Sequence, residues 1–248
     1  MTPGGFDAAT YGQRNAAFYD TWVAPAVEAS TQASVDFLAD IARGHTALEL
    51  GIGTGRVALP LAAAGVAVHG IDASPAMVER LREKPGGADV PVTIGDFVDI
   101  PVDGQFRLVY CVFNTFYSLL TQADQVRCFQ NVATHLEDGG AFVLEAFVPD
   151  PTMFDRGQRL STTRVEPDRV QLDATRHDSV NQVVTTQHIL IGRDGLVLLP
   201  VVLRYAWPSE LDLMARLAGL SLLARFGGWG RELFTAASGS HVSVYVRS

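Results

Sequence analysis

A glutamate and three alternating glycines form the stretch of this chain best suited to hold a ligand. Glu49 lies two residues before Gly51, and Gly53 and Gly55 follow at alternate positions. Glycine has no Cβ, so such a loop can turn sharply and a ligand can lie against its main chain. A carboxylate facing the loop would repel a pyrophosphate, whereas it suits a cationic ligand or an ammonium group. The pattern therefore indicates a positively charged ligand.

A second carboxylate, Asp72, stands at the end of the next apolar segment. A helix is predicted from about Arg56 to Ala64, and the apolar residues of 66–71 then suit a buried parallel strand. Because parallel strands end at one edge of a sheet, Asp72 is expected beside the glycine loop, where it could accept two hydrogen bonds from a ribose diol. Residues 46–79 thus predict a strand, a glycine loop, a helix and a second strand.

The acid, the G-x-G-x-G spacing and Asp72 together resemble the first motifs of the class I S-adenosylmethionine-dependent methyltransferases. Nicotinamide and flavin Rossmann loops have the spacing G-x-G-x-x-G, and here the third glycine comes one residue earlier. The resemblance covers residues 46–148 with specific motifs and the remainder more loosely. It implies that the segment from Glu49 to Gly55 holds the methionine part of S-adenosylmethionine and that Asp72, with Ala73 beside it, holds the ribose.

The same resemblance implies further cofactor-binding positions. In the family the third strand ends in an acid that binds the adenine amino group, and the next backbone amide serves a ring nitrogen; Asp96 and Phe97 occupy these positions. Many small-molecule members fold a tyrosine from an N-terminal helix over the methionine carboxylate, and Tyr19 is the closer match and Tyr11 the second. Met77, at the start of the helix after the second strand, is expected on the adenine face or in the core. The structural alternatives are a turn aspartate for Asp96 and packing residues for the two tyrosines.

Polar and aromatic residues follow the fourth predicted strand, Phe106 to Phe113, where a substrate should meet the cofactor. Asn114 could orient a polar group of the substrate. Phe113 or Tyr117 could offer a π face to the sulfonium cation, with core packing as the alternative for these aromatic residues. We therefore predict Phe113 as a cofactor contact, and Asn114 and Tyr117 as substrate contacts.

Three residues are candidate general bases: Glu145 at the carboxyl end of the fifth predicted strand, and His177 and His188 in later β segments. An amine nucleophile needs only to be bound unprotonated, whereas a hydroxyl requires a base. Arg176 and Trp229 are further candidate substrate contacts, and for the polar residues of the β segments a solvated face is the alternative. Methyl transfer from a sulfonium is an in-line displacement without a metal, and no metal site is predicted.

A Rossmann-like α/β fold is required to bring these residues together. Residues 1–45 are predicted to form a helical cap broken at Pro25, and residues 46–150 the cofactor-binding core. Over residues 151–206 apolar and polar residues alternate, as is typical of antiparallel strands. The resemblance implies that these strands form a lid that sometimes pairs with another subunit. Residues 207–248 complete the core, and the expected fold is a doubly wound seven-stranded sheet with an inserted antiparallel β lid.

Composition limits the partners of the chain. Its 248 residues include 19 Lys and Arg against 27 Asp and Glu, a formal net charge of −8, and the arginines do not cluster, so nucleic acid is not an expected substrate. With two cysteines and no basic start before an apolar block, a cytoplasmic location is expected. No uncharged apolar run approaches the length of a membrane span. The exposed β lid makes a homodimer a reasonable expectation.

The sequence thus predicts methyl transfer to O or N of a small molecule, of the secondary-metabolite or amino-sugar type that the resemblance implies. Two other functions are compatible with the same cofactor loop. One is a non-methylating reaction such as elimination or cyclisation, and the other is a role as a non-enzymatic partner subunit. A nicotinamide oxidoreductase is the remaining alternative, and the glycine spacing opposes it.

Overall fold

The computed structural model describes residues 7–22, 24–193 and 195–247. These residues contain eleven strands and six α-helices. The strands are β1 (Thr46–Leu50), β2 (Ala67–Asp72), β3 (Val92–Ile94), β4 (Phe106–Cys111), β5 (Leu136–Phe147), β6 (Gln158–Glu166), β7 (Arg169–Asp178), β8 (Val183–Gly192), β9 (Gly195–Arg204), β10 (Leu220–Phe226) and β11 (Ser240–Arg247). The helices are α1 (Thr10–Trp22), α2 (Ala24–Ala42), α3 (Ala58–Ala63), α4 (Pro75–Arg82), α5 (Gln122–His135) and α6 (Pro208–Leu217).

The larger sheet has seven strands in the order β10-β11-β5-β4-β1-β2-β3. Strands β1 to β5 are parallel, and β11 pairs antiparallel with β5 and β10. Alternate residues of the central strands pack into two core clusters, one with α5 and α6 and the other with α2, α3 and α4. Helices therefore cover both faces, as a parallel sheet requires. The predicted Rossmann-like, seven-stranded architecture is confirmed.

The chain turns sharply where β4 reaches the carboxyl edge. We predicted this strand as far as Phe113, but it ends at Cys111. Phe113 and Asn114 have φ angles of 55° and 62°, which a strand does not accommodate. A short 3₁₀ helix, Thr115–Ser118, follows directly. The turn places these polar and aromatic residues at the sheet edge that also carries the glycine loop.

Other element boundaries shift by a few residues. α3 begins at Ala58, against a predicted start at about Arg56, and β5 begins at Leu136. The predicted break at Pro25 lies close to the boundary between α1 and α2, since Pro25 is in the first turn of α2, where its missing N–H has no intrahelical partner to lose. None of the described helices is both long and apolar enough to cross a membrane.

Strands β6 to β9 form a separate antiparallel sheet in chain order. Pairing sets Asp173 opposite His188 and Thr175 opposite Thr186, so these polar residues share one face. The opposite face carries exposed apolar side chains, which include Leu160, Val165, Ile191, Leu196 and Leu198. We call this second surface the outer apolar face. One side of the sheet thus carries these polar residues together with apolar residues of β9, and the other side is largely apolar.

A buried ion pair attaches the four-stranded sheet to the helices of the core. Arg204, the last residue of β9, donates to Glu210 of α6 at 2.9 Å, and the side chains are only 7% and 16% exposed. The same guanidinium donates to Gln125 of α5 and to Gln182 at 3.2 Å. A buried charge with several partners fixes geometry, because each lost partner would leave a desolvated polar group. The sheet is therefore held in a defined orientation over the core.

Candidate active site

One large cavity opens at the carboxyl edge of the parallel strands. It encloses about 510 Å³ between the glycine loop, α1 and the four-stranded sheet. Its walls come from three parts of the chain: Asp7, Ala8, Tyr11, Gly12 and Tyr19; then Gly51, Gly53, Asp72, Ala73, Met77, Phe97, Phe113, Asn114, Thr115, Ser118 and Leu120; and finally Thr163, Arg164, Gln171, Thr186, His188, Val201, Val202 and Leu203. Most predicted cofactor residues and two predicted substrate or base residues therefore meet around one space.

The three glycines of the loop have different surroundings. Gly53 has a φ of 56°, and a Cβ built there would meet nothing within 4 Å, so its backbone faces open space. Gly55 has a φ of 78°, and a Cβ there would lie 2.9 Å from Leu59 and 3.0 Å from Leu81. Gly55 therefore allows the loop to pack on α3 and α4 and does not line the cavity, whereas Gly51 and Gly53 do.

Asp72 joins the glycine loop to the start of α4. Its Oδ2 accepts a hydrogen bond from the Gly53 amide at 2.7 Å, and its Oδ1 accepts one from the Ser74 amide at 2.8 Å. Burial raises the pKa of Asp72. An ionised carboxylate has about four lone-pair sites, so each oxygen retains acceptor capacity for a ligand in the cavity. The residue can brace the loop and bind a diol at the same time.

Glu49 lies beneath the loop beside a side cavity of about 20 Å³. Its carboxyl group is buried and accepts a 3.0 Å hydrogen bond from the Tyr110 hydroxyl. Burial raises the pKa of Glu49 to about 8, although this hydrogen bond and the charge of Arg56 act in the opposite direction. A cationic group bound nearby would favour the ionised carboxylate.

Aromatic side chains surround the same end of the cavity. Tyr11 and Tyr19 of α1 line it, and burial raises the pKa of both phenols. The positive charge of Arg56 lowers the pKa of Tyr19, against the larger effect of burial, and its guanidinium lies 5.3 Å from the centre of the Phe113 ring. Phe97 also lines the cavity. These rings could cover a bound cation and exclude water from it.

Of the two residues predicted to bind adenine at the end of the third strand, only one lines the cavity. Phe97 lines it together with Ala73 and Met77, whereas Asp96 is not among the lining residues. The Asp96 Oδ1 accepts a hydrogen bond from the Val98 amide at 3.0 Å. This is the geometry of a turn aspartate, the structural alternative given by the sequence.

Of the residues predicted to follow β4 as substrate contacts, Asn114 lines the cavity and Tyr117 does not. The Asn114 Oδ1 accepts a hydrogen bond from the Phe147 amide at 2.7 Å, which links the turn after β4 to the end of β5. Tyr117 is fully buried, and its hydroxyl donates to the Ala206 carbonyl at 2.8 Å. The expectation for Tyr117 is therefore corrected, because its polar atom is engaged inside the core.

Glu145 and Trp229, predicted as a base and a substrate contact, bond to each other instead. The indole Nε1 of Trp229 donates to Glu145 Oε1 at 2.9 Å, and the Phe113 amide donates to Glu145 Oε2 at 2.8 Å. Trp229 is buried and packs edge to face on Phe37 at 5.4 Å between ring centres. Neither residue lines the cavity, so the structure assigns both to support of the turn after β4 and corrects the earlier expectation.

Arg176 and His177 are adjacent on β7, and neither lines the cavity. Arg176 is exposed, as expected of a solvated face. The His177 Nε2 lies 2.9 Å from the Tyr205 hydroxyl, and its ring stacks on Phe154 at 4.6 Å. His177 lies on the polar side of the sheet but beyond the cavity, so its predicted role as a base is not supported.

His188 is the predicted base that does line the cavity. Its Nδ1 lies 2.7 Å from Asp173 Oδ1, and both side chains are 20% exposed. A carboxylate at this distance orients an imidazole. Thr186 and Gln171 line the cavity beside it. The four-stranded sheet thus presents a polar patch that contains one titratable pair.

Several lining residues were missed by the sequence analysis. Gln171 and Thr186 follow the period-two pattern that places His188 on one face, so register information would have identified them. Val201 to Leu203 come from the neighbouring strand. Asp7 and Ala8 precede α1 and carry no recognisable motif. Their position depends on where α1 docks, which a local pattern does not encode.

The groups at the glycine-loop end fit the cationic ligand predicted from the sequence. Gly53 offers uncovered backbone, Asp72 offers a carboxylate for hydroxyl groups, and Glu49 lies beneath the loop as a carboxyl group that a bound cation would ionise. Phe113 and the tyrosines add aromatic faces. A pyrophosphate would be repelled by Asp72 and would favour no ionisation of Glu49. The donor set therefore suits a nucleoside with a sulfonium and an amino group.

Comparison with known proteins agrees with this geometry. Residues 47–140 match the model of a methyltransferase domain. The cypemycin N-terminal methyltransferase of a Streptomyces species is 32% identical over 207 residues, which are 82% of this chain and 84% of the relative. The structure of the CcbJ methyltransferase from Streptomyces caelestis has a TM-score of 0.93 at 38% identity and covers 98% of this chain and 100% of its own.

A more distant structure shares the fold and has the methyl donor bound. CalS10, an amino pentose methyltransferase from Micromonospora echinaspora solved with S-adenosylmethionine, has a TM-score of 0.69 at 22% identity and covers 91% of this chain and 97% of its own. Fold, glycine loop and full-length similarity to named methyltransferases thus agree. The chain belongs to the class I S-adenosylmethionine-dependent methyltransferases and is an enzyme of that family.

Proposed function

We propose that this enzyme transfers the methyl group of S-adenosylmethionine to an amine nitrogen of a small molecule from secondary metabolism. The observation that carries the proposal is a cavity of about 510 Å³ in which the glycine-loop groups face a polar patch on the four-stranded sheet. The cypemycin relative is named for methylation at an N-terminus, which supports nitrogen as the acceptor. An amine requires only orientation and the unprotonated state, and of the three predicted bases only His188 lines the cavity.

The glycine-loop end is proposed as the cofactor site. When bound, S-adenosylmethionine supplies a methyl carbon activated by its sulfonium. Glu49 and the backbone at Gly51 and Gly53 would bind the methionine part, and Asp72 with Ala73 would bind the ribose. Met77 and Phe97 would contact the adenine, while Tyr11, Tyr19 and Phe113 would cover the charged end. Gly55 would serve only the packing of the loop.

The opposite end is proposed as the substrate site. Asn114 and the polar patch of Gln171, Thr186 and His188 would orient the substrate through its hydroxyl, amide or amine groups. An in-line displacement requires the nucleophile about 3 Å from the methyl carbon, and a closed wall that excludes water raises its rate. The wall would be formed by two parts of the chain, a cap of residues 1–45 and a lid of residues 151–206. Both would lie over the core, which comprises residues 46–150 and 207–248.

A hydroxyl acceptor is the second candidate, and the His188–Asp173 pair favours it. The 2.7 Å contact between these side chains orients the imidazole at the cavity wall. An imidazole held this way can accept the proton of an attacking hydroxyl. The same pair could accept the proton released after methylation of an amine. The two acceptors therefore differ in how strongly the rate depends on His188.

The outer apolar face is proposed as a homodimer interface. Leu160, Leu196 and Leu198 are 70%, 58% and 53% exposed, and exposed apolar side chains on a flat sheet mark interaction surfaces. A second copy of the chain offers the same face, as a twofold interface requires. The net charge of −8 opposes a nucleic-acid partner, and the two free cysteines fit a reducing cytoplasm.

The test uses pairs of small molecules that differ only in carrying an amine or a hydroxyl at one carbon, such as amino sugars and their parent sugars. The enzyme is incubated with S-adenosylmethionine that has a trideuterated methyl group, and products are read by mass spectrometry. We expect the labelled methyl on nitrogen of the amine member. Label only on oxygen would replace the proposal with the second candidate, and binding of the donor without transfer to either series would contradict both.

A further inference from the structure

α1 forms one wall of the cavity, and its position controls the cofactor end. Tyr11 and Tyr19 on this helix line the cavity. Near its start, Gly12 packs so closely on the beginning of α4 that a Cβ would lie 2.3 Å from Ser74 Cβ. The way in which α1 is fixed therefore decides how closely the two phenols approach a bound ligand.

Three elements meet near the other end of α1 at the carboxylate of Asp20. The Thr54 hydroxyl of the glycine loop donates to Asp20 Oδ1 at 2.7 Å, and Lys84 Nζ, just beyond α4, donates to the same oxygen at 2.8 Å. Lys84 Nζ also donates to the Thr54 carbonyl at 2.8 Å. The ammonium group thus uses two of its three donors to join α1 to the loop.

This contact differs from an ordinary surface ion pair. The side chains of Lys84 and Asp20 are 30% and 36% exposed, and Thr54 is buried. Charges that are partly shielded from water are screened less than exposed ones. By contrast, Arg80 and Glu83 form an exposed pair close by at 3.4 Å and contact neither α1 nor the loop through that pair. An exposed pair of this kind contributes little.

We propose that Lys84 is a positioning residue for the methyl donor: by joining Asp20 to Thr54 it holds α1, and with it Tyr19, against the cofactor end of the cavity. The proposal rests on the proposed cofactor site. Tyr19 directly precedes Asp20 on α1, so a shift of the helix at this point displaces both side chains. Loss of the ammonium group would leave α1 joined to the loop at this end only by the Thr54–Asp20 hydrogen bond, and the ligand would dissociate faster.

The experiment measures S-adenosylhomocysteine binding to the full chain by titration calorimetry and stopped-flow dissociation. Lys84→Met is compared with Arg80→Met, which removes a neighbouring cation that takes no part in the contact. We expect Lys84→Met to raise Kd by about three- to tenfold, mainly through a faster dissociation rate. Arg80→Met should bind as the wild type does. Lys84→Arg, which keeps the charge, should recover part of the loss.

Asp20→Asn gives a second route to the same contact if Lys84→Met folds poorly. The losses in Asp20→Asn and Lys84→Met should not add in the double variant, because both remove one interaction. Wild-type Kd and dissociation rate in Lys84→Met would overturn the proposal. So would a lower melting temperature of the ligand-free protein without a change in dissociation rate, since that marks a purely structural role. Absence of binding by the wild type would instead refute the cofactor site itself.

Discussion

The hydroxyl of Tyr110 donates a 3.0 Å hydrogen bond to the carboxyl group of Glu49, one strand away beneath the glycine loop. Both residues are buried, and burial raises the pKa of Glu49 to about 8. Arg56 lowers this pKa and Asp72 raises it. The ligand-free protein therefore holds a largely neutral carboxyl group where a cationic methyl donor has to bind.

Binding of S-adenosylhomocysteine should release protons. At pH 7 a carboxyl with a pKa of about 8 is roughly nine-tenths protonated, and an ammonium group on the ligand favours its ionised form. We expect close to one proton to be released at pH 7, and an affinity that rises up to about tenfold per pH unit below pH 8. Titration calorimetry in phosphate and in Tris buffer measures how many protons are released on binding. Glu49→Gln should remove this proton release, and identical heats in both buffers for the wild type would contradict the assignment.

Removal of Asp72 should weaken binding of the methyl donor and loosen the loop. Asp72→Ala loses the acceptors for the Gly53 and Ser74 amides as well as the expected ribose contact. Charged hydrogen bonds contribute about 1.5–3 kcal/mol each, so we expect Kd for S-adenosylhomocysteine to rise by about tenfold to a hundredfold. Asp103→Ala, at an exposed aspartate, is the matched control. Unchanged affinity in Asp72→Ala would rule out a contact between this residue and the ligand.

Glu145 should matter for stability and not for the chemical step. Glu145→Ala would leave the Phe113 amide and the Trp229 indole without their acceptor, at a cost of about 1–3 kcal/mol in the free energy of unfolding. Urea denaturation measures this loss. The kcat of the folded fraction should stay within a few-fold of the wild type. A stable Glu145→Ala enzyme with a large loss of kcat would instead restore Glu145 as a base.

The role of His188 should depend on the acceptor. With an amine substrate we expect His188→Gln to lower kcat/KM by less than about tenfold, whereas loss of a general base for a hydroxyl costs about a hundredfold to ten-thousandfold. Asp173→Asn should follow the same pattern more weakly, because it acts through the imidazole. His177→Gln is the control on the neighbouring strand. A loss of a hundredfold or more with an amine would show that proton removal limits its methylation.

The outer apolar face should determine the oligomeric state. Leu198→Glu places a charge on this face, in the edge strand β9, and should give a monomer by sedimentation velocity, with the fold retained by circular dichroism. Leu217→Glu changes a leucine of α6 that is 69% exposed and lies away from the sheet, so it should leave the state unchanged. A wild-type protein that sediments as a monomer would refute the proposed interface.

The glycine loop and Asp72 could be predicted because their positions follow from the ends of two adjacent strands. Glycine spacing and an acid at a strand end are local signals, and β1 and β2 are neighbours in the sheet. Parallel strands fix both features at one edge. The antiparallel sheet could equally be predicted from the sequence, because the alternation of apolar and polar residues is a local pattern.

The direction of individual side chains could not be predicted in the same way. Glu145 ends a strand at the correct edge, but its carboxylate turns to Phe113 and to Trp229, a residue distant in sequence. His188 reaches the cavity and His177 does not, because the register of β7 against β8 sets their height on the sheet. Such outcomes depend on tertiary packing that a local pattern does not contain.

Asp7 and Leu203 line the same cavity although most of the chain separates them. During synthesis, the N-terminal part of the cavity lining emerges from the ribosome long before β9, which lies opposite it, has been made. Until then the cavity lacks the wall that the four-stranded sheet provides. The pocket for the methyl donor is consequently among the last regions to mature, and a prematurely terminated product would be unable to enclose its ligand.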